Sequence, residues 1–97
     1  MPPVIDDPEI TSLRERIDVI DHEILRLLAE RLHVVHQVGE AKLRKGLAVA
    51  DPRREEQLLK RLVESAPQVF DERSVRVIFS AIVSESRRLE DAKMSEG

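Results

Sequence analysis

The stretch LRERIDVIDHEILRLLAERLHVVHQVGEAK, residues 13–42, decides how this chain folds. Its apolar residues recur at three- and four-residue steps, the spacing that places side chains on one face of an α-helix. They are Leu13, Ile17, Ile20, Ile24, Leu27, Leu28, Val34, Val35, Val38 and Ala41. Thr11 or Ser12 is expected to cap the helix, with Glu15 completing a capping box. We predict a helix over residues 12–44, roughly 50 Å long at ~1.5 Å per residue.

Two glycines punctuate this region. Gly39 lies inside the helical pattern, where glycine costs about 1 kcal/mol relative to alanine. It is either a weak spot or a place where another group packs close to the backbone. Gly46, in the segment KGLAVADP, fits the position that ends a helix.

Two further helices are predicted from residues that are typical of helix N-termini. Asp51 followed by Pro52 is typical of a helix N-terminus, and this second helix is expected to run until Pro67. Asp71 is expected to open a third helix. The apolar faces consist of Leu58, Leu59, Leu62 and Val63 in the second helix, and Val75, Ile78, Phe79, Ile82, Val83 and Leu89 in the third. The fold class is therefore all-α, with one long and two shorter helices per chain.

Helix lengths indicate self-association. We predict a single domain over residues 1–97, with residues 1–11 and 92–97 as flexible tails. The second and third helices span only about 14 and 20 residues, or roughly 20 and 30 Å. Neither covers an apolar face of roughly 50 Å, so we expect two chains to pair their long helices in a symmetric homodimer.

Composition narrows the function classes. The chain has 97 residues, 36% of them charged, a formal net charge of −3 and no cysteine. Basic and acidic residues are mixed throughout, which argues against a nucleic-acid interface. Without cysteine there is no disulfide framework or thiol nucleophile. The start MPPVIDDPEI lacks the features of a secretory signal, and no apolar run is long enough to span a membrane, so a cytoplasmic location is expected.

Positive charges lie on the side of the long helix that should be buried. Arg31 and Lys42 are almost three whole turns apart, about 16 Å, and project from the apolar face. Both side chains either snorkel to water or hold a small dianion between them. In the segment DPRREE, Arg54 and Glu55 each precede a core leucine by four residues and flank the buried face of the second helix. Cations and carboxylates together suit a ligand that bears carboxylates and a hydroxyl.

Four segments, in order and at their intervals, resemble chorismate mutases of the short, all-helical bacterial type. They are LRERIDVIDHEILRLLAERL, VGEAK, VADPRREEQLL and IVSESRRLE, and they cover residues 13 to about 91. The resemblance implies an intertwined, domain-swapped homodimer with two active sites. It also implies an isomerase that converts chorismate to prephenate in the shikimate pathway, for biosynthesis of the aromatic amino acids Phe and Tyr.

The same resemblance implies a set of site residues. Arg14, Arg31, Lys42 and Arg54 would bind the two substrate carboxylates, and Lys42 and Glu90 would face the ether oxygen. Asp51 and Glu55 would meet the ring hydroxyl and the loop around it, and Ser86 would add a polar contact. Arg14 lies about 25 Å along the helix from Arg31 and does not reach that pocket in its own chain. It is therefore expected to come from the partner chain.

The implied reaction is a cofactor-free, metal-free pericyclic rearrangement. A protein accelerates it by holding the flexible substrate in a compact conformer and by placing positive charge at the breaking ether bond. Lys42 is our candidate for that charge. Glu90 donates a hydrogen bond to the ether oxygen only when protonated. Activity is therefore predicted to fall as pH rises and Glu90 loses its proton, unless Glu90 is only a solvated residue on the last helical turn.

Two other function classes stay open at this point. One is a related enzyme on the same scaffold, an isochorismate-pyruvate lyase or a 4-amino-4-deoxychorismate mutase. Asp51 and Glu55 favour the chorismate mutase, because they suit the ring hydroxyl of chorismate. The other is a non-catalytic helical dimerisation or regulatory module. His33, His36 and Glu40 form a weak metal-site pattern and are interpreted as surface residues. Any coupling to another enzyme of the shikimate pathway is expected to occur between separate chains.

Overall fold

The structure, a computed structural model, describes residues 7–48 and 51–96. Its elements are three helices: α1 is Pro8–Arg44, α2 is Pro52–Ser65 and α3 is Glu72–Glu96. Within the described residues there is no strand, so the predicted all-α class with one long and two shorter helices is confirmed. None of these helices is long and apolar enough to cross a membrane.

The start of α1 differs from the sequence prediction. Asp7, rather than Thr11 or Ser12, caps the helix: its Oδ1 accepts the backbone N–H groups of Glu9 at 2.8 Å and Ile10 at 3.2 Å. Pro8 occupies the first helical position, where a missing N–H costs nothing. The capping box at Ser12 is overridden because an earlier Asp-Pro pair already satisfies the free N–H groups.

The chain ends are also more helical than predicted. Residues 8–11 belong to α1 and residues 92–96 belong to α3, so both helices extend into the segments predicted as tails, while the flexibility of those segments stays a prediction. Asp7 is the cap residue of α1, and residues 1–6 and 97 lie outside the described residues.

The end of α1 is closed by a Schellman motif. Gly46 has a positive φ of 66°, a conformation that favours glycine. Its N–H bonds to the carbonyl of Leu43 at 3.2 Å, while the N–H of Leu47 bonds to that of Lys42 at 2.9 Å. The predicted terminating role of Gly46 is confirmed, and the motif fixes where the backbone turns away after Lys42.

The other two helices begin where the sequence places them. Asp51 accepts the N–H of Arg53 at 3.2 Å, with Pro52 in the first turn of α2. Asp71 accepts both the N–H and the hydroxyl of Ser74, at 2.7 and 2.8 Å, at the start of α3. These bonds, the backbone one first, hold the pKa of the Asp71 carboxyl below its usual range.

Two compact units make up the chain, one ending at Arg31 and the other starting at Leu32. In the first unit the described residues are mostly one helical segment. None of the residues of α1 is buried, and its apolar side chains Leu13, Ile17, Ile20, Ile24 and Leu27 are 48–57% exposed.

The second unit contains the packed core. It holds the last part of α1 together with α2 and α3, and α2 packs against α3. Leu59 of α2 and Val75 of α3 are both only 6% exposed. Other apolar side chains on these helices are half-buried: Leu58, Leu62, Val63, Phe79, Ile82 and Val83.

Candidate active site

Six of the eight predicted site residues lie in the second unit and two in the first. Lys42 is on α1, Arg54 and Glu55 are on α2 with Asp51 as its cap, and Ser86 and Glu90 are on α3. Arg14 and Arg31 belong to the first unit, where Arg14 is exposed and Arg31 is half-buried.

Glu90 lies directly over the backbone of α1. A Cβ atom placed on Gly39 would come within 2.7 Å of Glu90 Oε1, closer than real Cβ atoms approach. The alternative that Gly39 marks a close approach is therefore confirmed, and the group that approaches is a predicted site residue. Gly39 gives the Glu90 carboxyl room beside the helix that any larger residue would take.

Lys42 shares this part of α1. It lies three residues after Gly39, and residues three apart on a helix are neighbours on its surface. Lys42 is half-buried, as is Glu90. The structure thus places a cation and a carboxyl group, far apart in the chain, on one patch at the end of α1.

Ser86 lies on the same side of α3 as Glu90, because residues four apart stack on one helical face. Its side chain is half-buried as well. The predicted grouping of Ser86 with Glu90 is consistent with this register.

Asp51 and Arg54 are tied to the start of α2. The side chain of Asp51 caps the helix, and its carbonyl accepts the N–H of Arg54 at 3.1 Å. Both side chains are exposed. The segment that connects α1 to this cap includes residues 49 and 50, which lie outside the described residues.

Glu55 has a partner that sequence reasoning missed. Its Oε2 accepts a hydrogen bond from Nη2 of Arg87 on α3 at 3.2 Å. Arg87 and its neighbour Arg88 are both exposed. Arg88 pairs with Glu85 one turn earlier, and its hydrogen bonds hold the pKa of the Glu85 carboxyl below its usual range. No sequence signal reveals the Glu55–Arg87 pair because the two residues are on different helices.

A second ion pair joins α2 to α3 farther from these residues. Arg76 Nη2 donates to Glu56 Oε1 at 3.1 Å, and Arg76 Nε also donates to Glu72 Oε1 at 3.3 Å. The Arg76 guanidinium lowers the pKa of the Glu56 carboxyl, chiefly through the hydrogen bond. This pair links α3 to α2 at their surface.

The weak metal-site pattern does not assemble. Across residues 7–48 and 51–96, no three His, Cys, Asp or Glu side chains are grouped so that they could hold a metal ion. His33, His36 and Glu40 are therefore not brought together as ligands, and His33 and Glu40 are exposed.

The patch at the end of α1 combines charges of both signs with hydroxyl and carboxyl hydrogen-bonding groups. Such a set can bind a polyanionic ligand with hydroxyl substituents, orient it, and polarise one of its bonds.

Comparison with known proteins gives one consistent family. A model of the family chorismate mutase type II matches residues 13–91. The solved structure of chorismate mutase (form II) from Thermus thermophilus is similar, with a TM-score of 0.79 and 37% identity. The match covers 86% of this chain and 94% of that one.

Two named relatives differ greatly in length. The chorismate mutase of Methanocaldococcus jannaschii is 27% identical over 89 residues, which cover 91% of this chain and 90% of that protein. The T-protein of Enterobacter agglomerans is 49% identical over 51 residues, which cover 53% of this chain but only 14% of that protein. Because the family match extends over most of the three helices, this chain belongs to the chorismate mutase type II family.

Proposed function

We propose that this chain is a chorismate mutase, an isomerase that rearranges chorismate to prephenate for the biosynthesis of Phe and Tyr. The observation that carries the proposal is the seating of Glu90 against Gly39, on the patch of α1 that bears Lys42, in a chain of this family. Lys42 is the cation proposed to face the breaking ether bond, and Glu90 is the group proposed to donate a hydrogen bond to its oxygen.

The reaction is unimolecular. The ether C–O bond of chorismate breaks while a C–C bond forms, and the electrons move around one ring of atoms. No group is transferred to the protein, so the protein contributes restriction of the substrate to its compact conformer. It also contributes positive charge where electron density grows on the ether oxygen.

Lys42 supplies that charge. Its position in the last turn of α1 is fixed by the Schellman motif that follows it. Because the charge on the ether oxygen develops only in the transition state, this interaction raises the rate of the chemical step. Arg31 and Arg54 hold the substrate carboxylates, together with Arg14 of the partner subunit.

The partner subunit enters the proposal because of the exposed face of α1. The side chains of Leu13, Ile17, Ile20, Ile24 and Leu27 are about half-exposed in the single chain. A contiguous apolar stripe of this length is the mark of an interface. Pairing the long helices of two chains covers it and forms the domain-swapped homodimer in which each site takes Arg14 from the other chain.

Asp51, Glu55 and Ser86 orient the ring. Asp51 and Glu55 accept a hydrogen bond from the ring hydroxyl or from the loop around it. Ser86 adds a polar contact from α3 beside Glu90. The hydroxyl contacts favour chorismate over its 4-amino analogue and over isochorismate.

Glu90 acts as a hydrogen-bond donor to the ether oxygen. An ionised carboxylate has no proton to donate and repels the developing negative charge. Only the neutral acid form of Glu90 therefore serves this role.

The direct test is turnover by the purified protein. We expect chorismate to give prephenate without added metal or cofactor, and isochorismate and 4-amino-4-deoxychorismate to react far more slowly. Faster reaction of either analogue would replace the proposal with the corresponding lyase or amino-mutase activity. A cytoplasmic location stays a prediction.

Variants at Arg31 and Lys42, the two cations on the apolar side of α1, distinguish an enzyme from an interaction module. We expect Arg31→Ala and Lys42→Ala each to lower kcat/KM by about 100-fold or more, as removal of a preorganised charge does. Lys45→Ala, which removes an exposed cation just beyond α1, is the control. Dimers with unchanged activity in all three variants would contradict a catalytic site at this patch.

A further inference from the structure

Arg87 of α3 forms an ion pair with Glu55, a carboxylate in the first turn of α2. In this pair the Glu55 side chain is 33% exposed and that of Arg87 is 63% exposed, whereas in the other interhelical pair Arg76 is 34% exposed and Glu56 is 64% exposed. The two pairs are thus equally open to solvent, but only in the Glu55–Arg87 pair is the carboxylate the more covered partner. The Glu55 carboxylate is therefore the one whose position is restricted both by its surroundings and by a bond from α3.

The place of Arg87 in α3 puts it at the edge of the candidate site. It follows Ser86 directly and lies three residues before Glu90, on the adjacent surface of the helix. Arg76 lies about 16 Å earlier along α3. Two ion pairs thus join the same helices through arginines that lie about three turns apart on α3, and only Arg87 is next to predicted site residues of that helix.

We propose that Arg87 is a positioning residue of the active site, which holds Glu55 in the orientation that receives the ring hydroxyl and compensates its negative charge. This role rests on the proposed function. The hydrogen bond from Arg87 uses Oε2 of Glu55, which leaves Oε1 as the acceptor for the hydroxyl.

Arg87 also compensates the negative charge of Glu55. Chorismate carries two carboxylates, and a carboxylate side chain close to its ring repels it. A guanidinium bonded to that side chain cancels most of the repulsion while it leaves an oxygen able to accept a hydrogen bond. Because Arg87 is not in contact with the breaking bond, its effect falls on substrate binding and leaves the chemical step unchanged.

Steady-state kinetics on chorismate test this role. We expect Arg87→Ala to raise KM roughly two- to fivefold, the range that a partly exposed charge pair gives, with kcat changed by less than about twofold. Arg87→Lys restores part of the loss because it returns the charge without the planar geometry. The rise in KM shrinks as salt is added.

Two matched controls separate positioning from general stability. Arg88→Ala removes the neighbouring arginine, which pairs within α3, and Arg76→Ala removes the other ion pair between α2 and α3. Both are expected to leave KM unchanged. In a Glu55→Gln background, Arg87→Ala is expected to add no further effect, because its partner charge is already gone.

The outcomes distinguish this role from the function on which it rests. If the wild-type chain converts chorismate and Arg87→Ala matches Arg88→Ala in KM, the positioning role is wrong and the proposed function stands. A full effect of Arg87→Ala in the Glu55→Gln background also overturns the role. If the wild-type chain does not convert chorismate, both proposals are overturned together.

Discussion

The first unit and the α2–α3 pair have similar apolar periodicity but treat it differently. In the pair, Leu59 and Val75 are buried to 6% exposure, and ion pairs join the two helices. In the first unit, Ile20 is 57% exposed and Ile24 is 49% exposed, although both lie on the same stripe. The apolar faces of α2 and α3 cover each other within the chain, whereas the apolar face of the first unit stays exposed.

Apolar periodicity therefore predicts which face of a helix is to be covered, but not whether the same chain or another chain covers it. A helix of 37 residues cannot be covered by a 14-residue helix and a 25-residue helix that already pack against each other. The proposed second chain resolves the mismatch and at the same time supplies Arg14 to the site. Fold and function then depend on the same interface.

The largest expected effect comes from charge on the exposed stripe. Ile20→Asp is expected to prevent dimer formation and to reduce activity by more than about 100-fold, because a buried, unpaired carboxylate is strongly unfavourable. Val19→Asp is the control, since Val19 is 70% exposed and lies on another side of α1. Sedimentation velocity and turnover measure both properties. If Ile20→Asp forms a dimer with normal activity, the exposed stripe of the first unit is not the dimer interface.

A smaller but more specific effect is expected at Gly39. Gly39→Ala places a Cβ 2.7 Å from Glu90 Oε1, so the flexible Glu90 side chain must move away. We expect kcat to fall about tenfold at mildly acidic pH, while stability is retained or rises because alanine favours helix. Thermal unfolding and kinetics together measure these opposite changes.

Gly46→Ala provides the reverse pattern as a control. Gly46 has a φ of 66° and no atom within 4 Å of an added Cβ. Its substitution is expected to lower stability by about 1 kcal/mol through backbone strain and to change kcat little. If Gly39→Ala behaves like Gly46→Ala, the seating of Glu90 has no role in the reaction.

Replacing the acid at Glu90 tests its role as a hydrogen-bond donor. Glu90→Gln keeps a donor of similar size at every pH, whereas an ionised carboxylate has no proton to donate, so we expect kcat at neutral pH to rise several-fold. A Gln variant with kcat at or below the wild-type value would show that Glu90 does not act as a donor to the ether oxygen.

The smallest expected effect concerns the cap of α3. The folded-state pKa of Asp71 is lowered by Ser74, so the stability it contributes is present above the unfolded pKa of about 3.9 and is lost as pH falls through the folded value. Asp71→Asn is expected to lower the unfolding temperature near pH 7 and to match the wild type at strongly acidic pH. Glu64→Gln, an exposed change on α2, is the control.

Capping signals in the sequence predict a helix boundary correctly where only one such signal is present. The Asp51-Pro52 cap and the Gly46 terminator are confirmed because nothing nearby competes with them. The start of α1 differs from the prediction because the sequence there carries two capping signals, Asp7-Pro8 and the later Ser12 with Glu15, and the helix begins at the earlier one.

The candidate site was predicted only in part. Side-chain periodicity showed that Lys42 lies on the apolar side of α1, and Gly39 indicated a close approach without naming the group. That the group is Glu90, and that Glu55 pairs with Arg87, depends on how α3 lies against the other helices. Contacts between helices far apart in the chain leave no local pattern, so the sequence of a single chain does not reveal them.

Mixing two inactive variants tests the shared site most directly. Arg14→Ala and Lys42→Ala chains are each expected to be nearly inactive alone. If every site combines Arg14 of one chain with Lys42 of the other, unfolding and refolding the two together forms mixed dimers with one intact site. In an equal mixture, random pairing then restores about a quarter of wild-type activity. No recovery from refolded mixed dimers would show that each site is built within one chain.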